Sequence, residues 1–174
     1  MTVTVDVVVP VKNDTELLER CLTSILAQVV QPATVIIVDN GSRDRPAVQA
    51  LAAAHGAVLL DEQAPGIPAA SATGFDHVTA QIIARLDADC IAPPDWIAHI
   101  LRAFADDSAL VAVTGPAQFI DGPRLLRVPL AKLYLGAYRG FAGAALARVP
   151  LFGSNYAPRA RSASPRVHRS RDVR

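Results

Sequence analysis

Short β-branched apolar runs alternate with longer stretches whose apolar residues recur three and four positions apart, a pattern that predicts repeated strand–helix units. Val3 to Val9 is the first run; it ends at Pro10 and reads as a buried strand. A helix pattern follows at once, with Asn13 and Glu16 in capping-box spacing and Leu17, Leu18, Cys21, Leu22, Ile25 and Leu26 at helical spacing. Thr34 to Val38 is the second strand, closing on Asp39-Asn40-Gly41-Ser42, where Asn-Gly calls for a tight turn. Pro46 to His55 is a short helix stopped by Gly56, Ala57 to Leu60 a third strand, and Pro68 to Val78 a helix with Gly74 as its weak point. Gln81 to Leu86 is the fourth strand. Pro94 and Asp95 then open a helix carrying Trp96, Ile97, Ile100, Leu101 and Phe104, and Leu110 to Thr114 is a fifth strand halted by Gly115-Pro116.

Repeated strand–helix–strand units imply an α/β, Rossmann-like fold: a mainly parallel sheet, helices on both faces and right-handed crossovers. In such sheets ligands collect at the carboxyl ends of the strands. Three polar segments fall at that edge, namely Pro10-Val11-Lys12-Asn13, Asp39-Asn40-Gly41-Ser42 and Asp87-Ala88-Asp89. Their convergence describes a nucleotide pocket, with base and ribose against the first two loops and a diphosphate against the third.

The third segment carries the chemistry. Asp87 and Asp89 stand one residue apart where the fourth strand stops, and two hard oxygen donors so placed suit a divalent cation that holds a diphosphate. Such a cation neutralises the charge that grows on a departing phosphate oxygen. On their own, the same two aspartates read equally as solvated turn residues. Asp39 has the alternative role of an Asx-turn residue, Lys12 that of a solvated surface charge, and Trp96 that of a helix-anchoring core aromatic.

Composition sets the limits of this picture. The 174 residues, about half of them apolar, suffice for one domain with a sizeable core. The net charge of +1 hides an asymmetry, because residues 1–157 hold 11 basic and 15 acidic groups, whereas 158–174 hold six arginines and Asp172. Residues 1–157 are therefore read as the folded domain and 158–174 as a basic, disordered tail. Nothing upstream supports nucleic-acid recognition. Cys21 and Cys90 lack the spacing of a metal knuckle or redox motif and are expected as reduced thiols. The N-terminus lacks a secretory pattern, which places the chain in the cytoplasm, and Lys132 and Arg139 interrupt the one long apolar stretch, Leu130 to Ala147. Residues 124–149 nevertheless have an apolar helical face with interspersed arginines and Lys132. That face suits either the sheet, a missing C-terminal part, or peripheral contact with the inner face of an anionic membrane.

Taken in order, Val8-Val9-Pro10-Val11-Lys12-Asn13, Ile37-Val38-Asp39-Asn40-Gly41-Ser42-Arg43-Asp44, and Arg85-Leu86-Asp87-Ala88-Asp89 with Pro93-Pro94-Asp95-Trp96 resemble the family 2 glycosyltransferases of the GT-A fold. The likeness covers about residues 4–157. It implies a nucleotide-activated sugar donor (UDP-, GDP- or dTDP-linked), an inverting transfer to an acceptor hydroxyl such as that of a saccharide or lipid, and Mn²⁺ or Mg²⁺ as cofactor. By motif, Pro10, Val11, Asn13 and Ser42 would line the nucleoside pocket and Asp39 would bond the base. Asp87 would hold ribose and metal, and Asp89 would ligate the metal. Gly153-Ser154-Asn155 resembles the family's loop near the donor sugar.

Two departures from the pattern stand out. Between Gly66 and Gly74 the family usually carries an arginine and an asparagine, whereas this chain has Ile67-Pro68-Ala69-Ala70-Ser71-Ala72-Thr73. A charge-assisted bond is worth about 1.5–3 kcal/mol, so its loss would weaken donor binding more than about tenfold. Relatives also continue beyond the Gly-Ser-Asn loop into an acidic motif that supplies the general base. This chain meets its arginine-rich end there, as a truncated or frame-shifted gene would, and the catalytic base stays unassigned, with Asp121 and Asp172 the remaining acidic positions. The expectation is a donor-binding half with impaired transfer, and its rival is a non-catalytic nucleotide-binding fragment or pseudoenzyme. An aspartyl-phosphate phosphatase would place its Asp-x-Asp on the first strand and add a downstream lysine, which disfavours that class here.

Overall fold

A computed structural model describes residues 3–115, 125, 128–131, 133–137 and 155–160. In chain order the elements are β1 (Val5–Val11), α1 (Thr15–Leu26), β2 (Thr34–Asp39), α2 (Arg45–Ala54), β3 (Val58–Asp61), α3 (Ile67–His77), β4 (Ile82–Leu86), α4 (Trp96–Asp106), β5 (Ala112–Thr114) and β6 (Asn155–Pro158). Residues 128–131 and 133–137 are helical as well. The six strands form one sheet in the order β3-β2-β1-β4-β6-β5. β1 pairs in parallel with β2 and β4, and β2 with β3, while β6 runs antiparallel to both β4 and β5. The result is a Rossmann-type mixed sheet that is mostly parallel, with helices on both faces.

Although β1 is apolar throughout, its pleat sends alternate residues to different cores. Val5, Val7, Val9 and Val11 pack with Leu18, Cys21, Leu22 and Ile25 of α1 and with Trp96, Ile97, Ile100 and Phe104 of α4. Val8 joins Ile36, Val38 and Ile83 under Ala70 of α3. The same alternation divides β4: Ile82, Ala84 and Leu86 belong to the first core, Ile83 to the second. Arg85 and Asp87 therefore fall in step with Ile83, on the side of α3.

Some expectations from sequence need correcting. Gly74 is no weak point, because α3 lies so close to the sheet that a Cβ there would run into Val8 Cγ1 and come within 3.1 Å of Val38 Cγ2. The glycine is what lets this helix pack. Helix α1 does not open with a capping box: its N-cap is Asp14, with no side-chain cap bond, and Asn13 takes φ 65. β1 extends two residues past the expected end at Val9 and includes Pro10, whose missing N–H the parallel ladder tolerates near the strand end.

β6 was not expected as a strand, and it alters the boundary drawn before Pro158. Pro158 pairs with Ala112, Arg159 N donates to Val111 O at 2.9 Å, and Ala160 N donates to Gln81 O at 2.8 Å. The Arg159 guanidinium also lies 4.8 Å from the Phe104 ring centroid, and its Nε donates to Leu110 O. The first residues of the basic stretch thus continue the sheet, because backbone pairing does not require apolar side chains. Residues 161–174 lie outside the described residues. Among the described residues no helix is long and apolar enough to cross a membrane.

Candidate functional site

A crevice of about 300 Å³ opens at the carboxyl edge of the sheet, on the α3 side. Pro10, Val11 and Lys12 form its wall from the end of β1, with Asp14 beyond them. Asn40 enters from the end of β2, and Gly66, Ile67 and Ala70 from the start of α3. Asp87, Ala88 and Asp89 close it from the end of β4. Asp87 and Asp89 thus line one cavity together with Pro10 and Val11.

The loops after β1 and β2 are knitted together. Ser42 Oγ accepts from Asn13 N at 2.9 Å, Asn13 Oδ1 accepts from Arg43 N at 2.8 Å, and Asp39 Oδ1 accepts from Ser42 N at 2.9 Å. Asp39 is 2% exposed and makes the Asx turn weighed from sequence. Asn13, Asp39 and Ser42, assigned to the nucleoside pocket by motif, brace the loops that form the crevice wall; the wall itself comes from Pro10, Val11 and Asn40. Asn40 is the residue that sequence reasoning missed. Its buried amide donates to Glu62 O at 3.0 Å and Ala64 O at 2.7 Å, and its Oδ1 accepts from Gly66 N at 2.7 Å. One side chain thereby sets the path from β3 into α3. The signal was present as a polar residue directly behind a buried strand.

Charge in the crevice has both signs. Lys12 and the N-terminal end of α3, the positive end of the helix dipole, suit an anion. Asp87 and Asp89 suit a cation. Among the described residues no group of three or more His, Cys, Asp or Glu side chains is arranged to hold a metal by itself. Two carboxylates do fit Mg²⁺ or Mn²⁺ when the remaining positions are filled by phosphate oxygens and water, the usual arrangement for such ions. Asp87 also forms an ion pair with the buried Arg85.

Two thiols flank this segment without serving as nucleophiles. Burial, reinforced by the charge of Asp89, pushes the Cys90 thiol up to about 12, and burial raises Cys21 further still. Both stay protonated at neutral pH. Cys90 Sγ donates to Asp89 Oδ1 at 3.5 Å and Cys21 Sγ to the carbonyl of Asp87 at 3.7 Å, so they act as weak struts. Glu62 is held below the ordinary carboxylate value by the Thr73 hydroxyl and the Ala64 N–H.

Trp96 is 6% exposed and belongs to the core, as expected, and its indole Nε1 donates to Asn155 Oδ1 at 2.9 Å. Asn155 is further fixed by Thr114, whose hydroxyl donates to its carbonyl at 2.8 Å. It pairs with Leu86, just before the aspartates. Gly153, Ser154, Asp121 and Asp172 lie outside the described residues.

The fold has counterparts among solved structures. Glucosyl-3-phosphoglycerate synthase from Mycobacterium tuberculosis, solved with Mn²⁺, UDP and glucosyl-3-phosphoglycerate, matches with a TM-score of 0.63 and 26% identity over 90% of this chain and 57% of that one. Among curated relatives, an undecaprenyl-phosphate 4-deoxy-4-formamido-L-arabinose transferase from Serratia proteamaculans is 38% identical over 108 residues, covering 56% of this chain and 32% of the relative. The glycosyltransferase AglE from Haloferax volcanii is 30% identical over 99 residues, covering 53% and 33% respectively. The chain thus spans about a third of the length of the curated relatives it matches. The family model "Glycosyl transferase family 2" matches residues 6–151, a span that contains the crevice and its aspartates. The chain belongs to glycosyl transferase family 2.

Proposed function

We propose that this chain binds a nucleoside-diphosphate sugar together with Mn²⁺ or Mg²⁺ and presents it for inverting transfer to an acceptor hydroxyl. The observation that carries this reading is the meeting of Asp87 and Asp89 with Pro10, Val11 and Lys12 in one crevice at the carboxyl edge of the sheet. The solved relative in complex with Mn²⁺ and UDP supports the same ligand class.

Each part of the crevice has a task in this reading. Pro10 and Val11 give the nucleoside an apolar wall, and the clasp of Asn13, Asp39 and Ser42 keeps that wall in place before the ligand arrives, which lowers the ordering cost of binding. Lys12 and the positive end of α3 face the diphosphate. Asp87 and Asp89 would hold the metal, which when bound neutralises charge on the leaving diphosphate. The acceptor oxygen attacks the anomeric carbon from the side opposite that group, the bond to the diphosphate breaks, and a carboxylate removes the hydroxyl proton. The acceptor would offer a hydroxyl such as that of a saccharide or lipid. Leu125, Val128, Leu130 and Leu133, between 44% and 91% exposed, would suit a lipid surface or further protein.

One observation favours a second reading, binding without transfer. Ile67 and Ala70 line the crevice in the stretch where the family's motif carries an arginine and an asparagine, so the donor meets fewer charged partners.

Equilibrium titration with UDP, GDP and dTDP, each with and without Mn²⁺, tests the proposal. Metal-dependent binding of one of them is expected, with Asp89→Ala losing the metal-dependent part. Binding indifferent to metal and to Asp89 would refute it. Sugar transfer from the matching donor then separates the two readings.

A further inference from the structure

Arg85 is charged, lies within β4 and is only 8% exposed. Burying a guanidinium is costly unless it is paired, and this one is paired with a residue of the crevice: Nη2 donates to Asp87 Oδ1. The pleat of β4 sets Arg85 and Asp87 on the same face. The cation also packs against Tyr156, its register partner on β6, whose ring centroid lies 5.8 Å from the guanidinium carbon. Phe75 of α3 meets Tyr156 edge-on at 6.2 Å. Among the described residues, the buried Arg85 Nε has no hydrogen-bond partner, so its ion pair with Asp87 is its one charge-compensating contact there.

We propose that Arg85 is the resident counter-cation of the metal subsite, a positioning residue that holds Asp87 in the crevice wall while repelling a bare divalent ion. This rests on the reading of Asp87 and Asp89 as metal ligands. A divalent ion reaching Asp87 by itself meets the positive charge of Arg85. A diphosphate brings negative charge that offsets both cations. The metal therefore binds weakly alone and firmly with the nucleotide, and Arg85 makes the metal–nucleotide complex the species that the crevice selects.

The test follows the electron paramagnetic resonance signal of free Mn²⁺ during titration of the full chain, with and without UDP. In the wild type, UDP is expected to tighten Mn²⁺ binding at least about tenfold. Arg85→Met, which keeps the length of the side chain without its charge, should bind Mn²⁺ alone about tenfold more tightly than the wild type and show a smaller effect of UDP. Arg85→Lys keeps the charge and should resemble the wild type. The proposal is overturned if a cooperatively melting Arg85→Met binds Mn²⁺ alone no better than the wild type, or if the lysine variant behaves like the methionine one. Should Arg85→Met not fold, the wild type decides, since Mn²⁺ and UDP binding independently of each other would overturn the idea. Asp89→Ala keeps the two readings apart. If it abolishes Mn²⁺–UDP binding while Arg85→Met changes nothing, only the role of Arg85 falls. If it has no effect, the metal site and this inference fall together.

Discussion

On the β1–β2 side of the crevice Asn13 and Ser42 join the two loops through neutral hydrogen bonds, Asp39 makes the turn and Asn40 ties it to the segment between β3 and α3, whereas on the β4 side Asp87 is held by a buried guanidinium. The first arrangement is a hydrogen-bonded scaffold behind the apolar wall of Pro10 and Val11 and suits a nucleoside. The second responds directly to charge and suits a metal diphosphate. One edge of the sheet thus holds a rigid half and an electrostatically tuned half.

The sharpest way to break this contrast is to remove the two aspartates separately. Asp87→Ala leaves Arg85 charged, buried and unpaired and should lower stability by about 3 kcal/mol. Asp89→Ala, at an exposed position, should change it by less than about 0.5 kcal/mol. Chemical denaturation measures both, and equal effects would show that the pairing with Arg85 does not distinguish them.

Asn40→Ala tests the rigid half. It removes three hydrogen bonds around a buried amide and should cost about 2–3 kcal/mol, with faster amide exchange at Gly66. Exchange that is unaltered there would mean that the path into α3 does not depend on this side chain. Asn13→Ala should cost less, about 1–2 kcal/mol, through a left-handed backbone that alanine dislikes and the loss of the bond to Arg43 N. Asn13→Gly should recover the backbone part of that loss.

The smallest effect concerns pH. Because Glu62 has its folded pKa lowered by Thr73 and the Ala64 N–H, its contribution is present above the unfolded value and lost as pH falls through the folded one. Acid should therefore loosen the segment between β3 and α3, and Glu62→Gln should flatten that part of the stability profile in acid melts. A variant with the same acid profile as the wild type would assign the loss to other carboxylates.

Much of the first half of the chain could be read before folding. β1, β2 and β4 are short apolar runs ended by polar residues, and such runs make buried parallel strands in almost any context. Gly74 misled because a glycine inside a helix looks like a defect until the distance to Val8 and Val38 is known. β6 was invisible because Asn155-Tyr156-Ala157-Pro158 has neither alternation nor length, and its pairing with β4 and β5 comes from residues distant in the chain.

By itself the sequence determined the strand–helix alternation, the gathering of polar segments at the carboxyl edge where the crevice opens, and the Asp87-Ala88-Asp89 pair, since these depend on local period and on the identity of a few side chains. Only the tertiary structure decided that Asn40 guides α3, that Asn13, Asp39 and Ser42 brace the crevice wall, and that Tyr156 from β6 packs against Arg85, the partner of Asp87. Those relations join residues far apart in the chain, and their energies arise from burial and charge proximity, which have no counterpart in local sequence pattern.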